Sequence, residues 1–160
     1  MEQAGIEAEI LMDVTYRRMQ PDEADAAAAL HRKVGRVAWH WTPDLTDPEQ
    51  ERQMYRETVF AHGEVWGAFE EETLIGFIAT LPGWVEHLFV ATERQGGGIG
   101  GELLDIAMNS QDDLQLWTYQ ANTLTRRFYE SRGFRVAELS DGATLPEREP
   151  NVRYLWKRLE

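Results

Sequence analysis

Five glycines fall within six residues, at Gly96, Gly97, Gly98, Gly100 and Gly101. An apolar run, Trp84 to Val90, precedes them, and Leu103-Leu104-Asp105-Ile106-Ala107-Met108 follows. A strand is expected to end here, a bare backbone to turn and a helix to begin. The first N–H groups of a helix have no partner within it and carry a partial positive charge. Glycine lets a large anion lie against those groups without meeting a Cβ atom. The segment therefore reads as a binding site for the phosphates of a nucleotide-like cofactor. No Lys or Arg occurs between Gln95 and Thr125. Phosphate affinity would rest on backbone amides, with help from Arg94, Arg126 or Arg127. The alternative is a turn that binds nothing, but adjacent glycines at a helix start destabilise it by about 0.5–1 kcal/mol each relative to alanine.

The elements that must hold this loop can be read along the chain. Residues 1–12 are expected to form a flexible leader and 13–160 a single domain. Asp13 to Met19 alternates as a first strand. Pro21-Asp22-Glu23 opens a helix that runs to Val34 or Val37. An aromatic loop follows, Trp39-His40-Trp41. Asp47-Pro48-Glu49-Gln50 starts a second helix, with Asp47 as N-cap, Gln50 at the capping-box position and Met54, Tyr55, Thr58 and Val59 on its apolar side. Glu64–Glu70 and Thr73–Leu81 form a hairpin across Glu71-Glu72. Pro82-Gly83 turns into the strand 84–90. Beyond the glycines come a helix with Ile99, Leu103 and Ala107 on one face, a strand from Leu114 to Tyr119, and a helix from Asn122 to Ser131 with Leu124 stacked on Phe128. Gly133 ends that helix. Phe134–Leu139 and Val152–Leu159 are closing strands. The order βααβββαβαββ predicts an α/β (α+β) fold, a mixed sheet of about seven strands with helices on both faces.

Gly96-x-Gly98-x-x-Gly101 formally satisfies the dinucleotide fingerprint, yet the next strand ends Tyr119-Gln120-Ala121-Asn122, with no acid to hold a ribose, and too little chain follows. The Walker pattern is absent. Gln95-Gly96-Gly97-Gly98-Ile99-Gly100 instead resembles the Gln/Arg-x-x-Gly-x-Gly/Ala motif of the GNAT N-acetyltransferases. Downstream, Asn122 followed by Phe128-Tyr129-Glu130-Ser131-Arg132-Gly133-Phe134 is similar to that superfamily's second motif, at the family's spacing. The close match covers roughly residues 64–139.

The resemblance implies a mostly antiparallel sheet and direct transfer of an acetyl group from acetyl-CoA to a primary amine in a ternary complex. The pyrophosphate would lie on the amides of Gln95, Gly96, Gly97, Gly98, Ile99, Gly100 and Gly101. The pantetheine arm would follow the backbone at Leu88, Phe89 and Val90 along a strand that bulges and splays from its neighbour, with Asn122 bonding the arm. Arg126, ahead of Arg127, would reach the ribose phosphate. Tyr129 would be the acid that protonates the departing thiolate, the alternative being a core tyrosine. Simple alternation puts Trp84, Glu86, Leu88 and Val90 on one face and His87 and Phe89 on the other. Glu86 is taken as the base, a role for which burial would raise its pKa; an exposed edge carboxylate and His87 stay as alternatives. Trp39, Trp41 and Trp117, with His40, either line the acceptor site or cap the core. Glu147, Glu149 and Arg153 fall where family members shape acceptor choice.

A net charge of −12 argues against general nucleic-acid binding and is compatible with a cationic acceptor, a small-molecule or peptide amine. The absence of cysteine excludes thiolate nucleophiles and disulfides. His31, His40, His62 and His87 are scattered without metal-binding spacing, so no metal is expected. No apolar stretch is long enough for a membrane span and the start of the chain is acidic, so a cytoplasmic protein is expected. A homodimer through the C-terminal strands is left open, as is a second class of function, a non-catalytic acyl-CoA-binding sensor.

Overall fold

The two apolar runs that predict a central hairpin form strands with the expected bounds. The computed structural model describes residues 13–159, so the expected leader lies outside the described residues. Strand β1 (Thr15–Arg18) leads through a 3-10 turn, Pro21–Glu23, into α1 (Ala24–Ala38). Helix α2 (Pro48–Met54) runs on through a π turn, Tyr55–Val59, and a last turn, Phe60–His62. Then come β2 (Glu64–Glu70), β3 (Thr73–Leu81), β4 (Trp84–Val90), α3 (Ile99–Ser110), β5 (Asp113–Tyr119), α4 (Thr123–Ser131), β6 (Arg135–Ser140) and β7 (Asn151–Lys157). The order is the one expected.

The seven strands form one sheet, β1-β2-β3-β4-β5-β7-β6, antiparallel at every step except β4–β5. Its faces are covered by different helices. Gly76, opposite Val90 on β4, has no Cβ because one would meet the Ile99 and Leu103 side chains of α3 at 3.2 and 3.3 Å. Phe77, opposite Phe89, points the other way, towards Tyr55 and the α1–α2 layer. Helix α1 closes on the sheet through small residues, Ala24, Ala27 and Ala28, and through Leu30 and Val34. On α3, Ile99, Leu103, Leu104 and Ala107 are buried, as the helical spacing predicts. Emptying Leu103 or Leu104 to alanine is worth about 2–5 kcal/mol.

Three local expectations give way. Asp47 caps α2 by position only, without a side-chain hydrogen bond; Glu23 supplies the reciprocal bond of a capping box, accepting from the Gln20 N–H at 2.9 Å. On α2, Tyr55 and Val59 turn inward while Met54 and Thr58 are exposed, because the π turn breaks the 3.6-residue phase. Leu124 is 76% exposed and does not stack into the core. Among the described residues no helix is long and apolar enough to cross a membrane.

Candidate active site

The glycine loop is built to leave its amides free. Gly96 and Gly98 adopt φ of +86° and +88°, the left-handed region where a side chain is strained. A Cβ on either would face open space, so the conformation and not crowding requires glycine there. Gly98 caps α3, and its carbonyl accepts from the Glu102 N–H at 3.0 Å. The six N–H groups from Gly96 to Gly101 find no acceptor among the described residues. The Gln95 side chain instead ties the loop back, donating to the Val90 carbonyl at 3.0 Å. Gly101 has a different cause: a Cβ there would stand 2.0 Å from the Arg132 guanidinium, which bonds the Gly101 carbonyl and Asp105.

Beside this loop the sheet comes apart. β4 and β5 pair only at Trp84 and Gln115, so β4 from Val85 to Val90 presents an unpaired backbone edge towards β5. Within β4, Ala79 of β3 faces His87 and Thr80 faces Val85, which leaves Glu86 without a partner. This is the bulge that the resemblance implies, and it takes Glu86 out of the simple alternation. Leu88 and Val90 face the α3 side and His87 and Phe89 the α1 side, but Glu86 stands out of the ladder at an exposed position.

Helix α4 comes in from the α3 side. Asn122 caps it, its Oδ1 accepting from the Thr125 N–H at 3.4 Å. The Asn122 amide donors are left over. Tyr129 has its ring buried against Phe128, Phe134 and Tyr154. Its hydroxyl makes no hydrogen bond among the described residues, and burial pushes its pKa up, so it is protonated at neutral pH. Arg126 turns inward, donating to the Tyr154 hydroxyl at 2.9 Å and the Gln120 carbonyl at 3.4 Å, and Tyr154 in turn donates to Glu130 at 2.6 Å. Arg94 is ion-paired with Glu70. Arg127 is the exposed arginine of this helix.

The other side of the split is a cleft of about 340 Å³ between α1, the aromatic loop and the end of β5. Trp39 lines it and also a second cleft, of about 590 Å³, reached by Trp117. Trp41 packs edge-on against Tyr119, their centroids 6.3 Å apart. His31 belongs here too. Its ring stacks on Phe89 at 4.4 Å, lies 5.2 Å from His87, and its Nδ1 shares a 2.6 Å hydrogen bond with the Tyr55 hydroxyl. Burial, then Arg32, lowers the His31 pKa to about 4; burial, then His31, lowers that of His87 to about 3. Both rings are neutral at pH 7. Sequence reasoning did not single out His31, Tyr55 or Tyr119. The spacing of His31, Gly35 and Trp39 by four residues is the signal that puts them on one face of α1.

This architecture has close counterparts. Residues 61–136 match the model of the acetyltransferase (GNAT) domain. The chain is 28% identical to the probable N-acetyltransferase Rv2775 of Mycobacterium tuberculosis, over 92% of this chain and 94% of that protein. It is 28% identical to the peptidyl-lysine N-acetyltransferase YiaC of Escherichia coli, over 58% of this chain and 66% of YiaC, about two thirds of that protein's length. Among solved structures, the PaiA N-acetyltransferase of Thermoplasma acidophilum in complex with coenzyme A superposes with a TM-score of 0.72 at 21% identity, over 92% of this chain and 100% of that one. Two sequence motifs in register, a parallel pair of strands that splays beside a glycine-capped helix, and these likenesses agree: residues 61–136 are similar to the acetyltransferase (GNAT) domain, and the fold is the one seen in N-acetyltransferases of known structure.

Proposed function

We propose that the protein transfers the acetyl group of acetyl-CoA to a primary amine by direct attack within a ternary complex. The observation that carries this reading is the run of unpaired N–H groups from Gly96 to Gly101 beside the unpaired edge of β4. A pyrophosphate needs several convergent donors and no Cβ in the way, and the loop supplies both. The edge of β4 at Leu88, Phe89 and Val90 offers amides and carbonyls to the two peptide-like groups of a pantetheine arm, and Asn122 offers its spare amide hydrogens. With Arg126 committed to Tyr154, Arg127 is the better partner for a ribose phosphate.

Acetyl-CoA supplies an activated acyl carbon; the remaining chemistry is proton management by the chain. Tyr129 holds a proton beside the split and hands it to the departing thiolate. Glu86, set at the bulge, takes the ammonium proton through water. The two clefts that share Trp39, with Trp41 against Tyr119 at their edge and Trp117 in the second, receive the acceptor, a small-molecule or peptide amine. The peptidyl-lysine activity in YiaC's name supports the peptide half of that pair. The test is calorimetric titration with coenzyme A, then thiol release with acetyl-CoA and a panel of amines. Saturable binding and amine-dependent release are expected. Binding with no release for any amine would favour an acyl-CoA sensor instead, and no binding would end the proposal.

A further inference from the structure

The acceptor cleft carries a charge imbalance that acetyl transfer alone does not require. Arg32, Arg36, Asp44, Glu51 and Glu147 line it. Arg32 is held by Asp44 at 2.9 Å and by Glu51 at 2.8 Å, and Arg36 reaches Asp44 at 3.4 Å. These four charges cancel. Glu147 is left over: among the described residues no cationic group pairs with it, and its hydrogen-bond donor is the Tyr119 hydroxyl at 3.4 Å. Glu147 also lines the second cleft, where the other carboxylate, Glu138, is taken by Arg153 at 3.2 Å. One unpaired carboxylate thus stands where the two clefts meet.

Aromatic rings enclose the same place. Trp39 meets Tyr119 at 88° with centroids 5.5 Å apart, and Trp41 meets it at 76° and 6.3 Å. Rings at right angles form a corner and not a stack. Such a corner, closed by a carboxylate, attracts a cation through the ring quadrupoles and the charge together. The field there is negative: Glu147 and Glu149 add to burial in pushing the Tyr119 pKa up to about 12. The Trp39 Nε1–H is buried with no partner among the described residues.

We propose that this corner binds a second positive charge on the acceptor, so that the preferred acceptor is a dication acetylated at one amine while its other cationic group rests against Glu147 among Trp39, Trp41 and Tyr119. The inference rests on the acetyl transfer proposed above. It gives the acceptor an address and gives release a direction. Acetylation removes one of the substrate's two charges, so the product is held less strongly than the substrate. A free aliphatic diamine and a peptide with a basic residue beside its lysine present the same chemistry.

Matched pairs test it. Thiol release would be measured for 1,5-diaminopentane against 1-aminopentane, and for a lysine peptide with and without an adjacent arginine. Direct binding of each to the protein would be followed by tryptophan fluorescence. The dication of at least one pair is expected to show roughly tenfold higher kcat/KM and tighter binding, the size of a partly desolvated cation–π contact with a carboxylate. The advantage should shrink with salt and fall to within about twofold in Glu147→Gln. An advantage confined to one pair identifies the source, diamine or peptide. Equal behaviour within both pairs, or an advantage that Glu147→Gln leaves intact, overturns the proposal. Dication-selective binding without thiol release would uphold the corner and count against the transfer reading.

Discussion

The two sides of the β4–β5 split are made from different materials. On the α3 side the groups offered to a ligand belong to the backbone: the amides from Gly96 to Gly101 and the edge of β4. On the α1 side they are side chains brought from separate segments, Trp39 and Trp41 from one loop, Tyr119 from the end of β5, Glu147 from the stretch before β7. In the proposed reaction, backbone groups would recognise what every donor molecule shares, and side chains would select among acceptors. The first side tolerates change only where φ and the free amides survive. The second can be retuned one residue at a time while the fold stands.

The largest effect is expected at the acid proposed above. Tyr129→Phe should lower kcat by about 10²–10³-fold with KM for acetyl-CoA unchanged, as loss of a positioned acid does. Steady-state kinetics across pH check it, and an unchanged turnover would return Tyr129 to the core. Next comes the backbone side itself. Gly98→Val forces a β-branched residue to positive φ, a strain of about 1–3 kcal/mol, and disturbs the amides. Coenzyme A should bind about a hundredfold more weakly by calorimetry.

A smaller effect probes the scaffold beneath the acceptor side. His31 and His87 are neutral in the folded protein, with pKa values of about 4 and about 3, against 6.5 for an ordinary histidine. Below pH 6.5 the unfolded chain therefore binds more protons than the folded one. Stability present above that pH should be lost as pH falls, by up to about 1.4 kcal/mol per pH unit for each histidine. Urea denaturation between pH 7 and pH 5 reads this slope, and His87→Gln should flatten it. Smallest of all is Gly101→Ala. Its Cβ meets only the movable end of Arg132, and its amide is kept. A stability change within about 1 kcal/mol and an unaltered coenzyme A affinity are expected. A large loss of affinity would show that the whole loop, and not its left-handed positions, sets the contact.

Much of the donor side was legible because it is local. Glycine density, the strand before it and the helix after it are neighbours in the chain, and Asn122 and Phe128–Phe134 repeat the logic one unit later. The central strands were legible as short apolar runs, because strands covered on both faces bury successive residues and not every second one. What escaped notice lay where one element departs from regular geometry under tertiary load. The resemblance predicts a bulge on this strand, but nothing in Trp84–Val90 marks Glu86 as its place. The π turn at Tyr55 has none in Tyr55–Val59, yet it brings the Tyr55 hydroxyl to His31. Arg126, expected to reach a ribose phosphate, donates instead to Tyr154, a partner 28 residues away.

By itself the amino-acid order determined the elements, their succession and the glycine loop, since φ preferences and apolar periodicity act over a few residues. The tertiary structure alone decided which charges cancel and which one stays unpaired. Arg32 finds Asp44 and Glu51, and Arg153 finds Glu138, only after helix, loop and strand are packed together. Glu147 is left facing Tyr119 for the same reason, because pairing depends on distances that the chain acquires on folding.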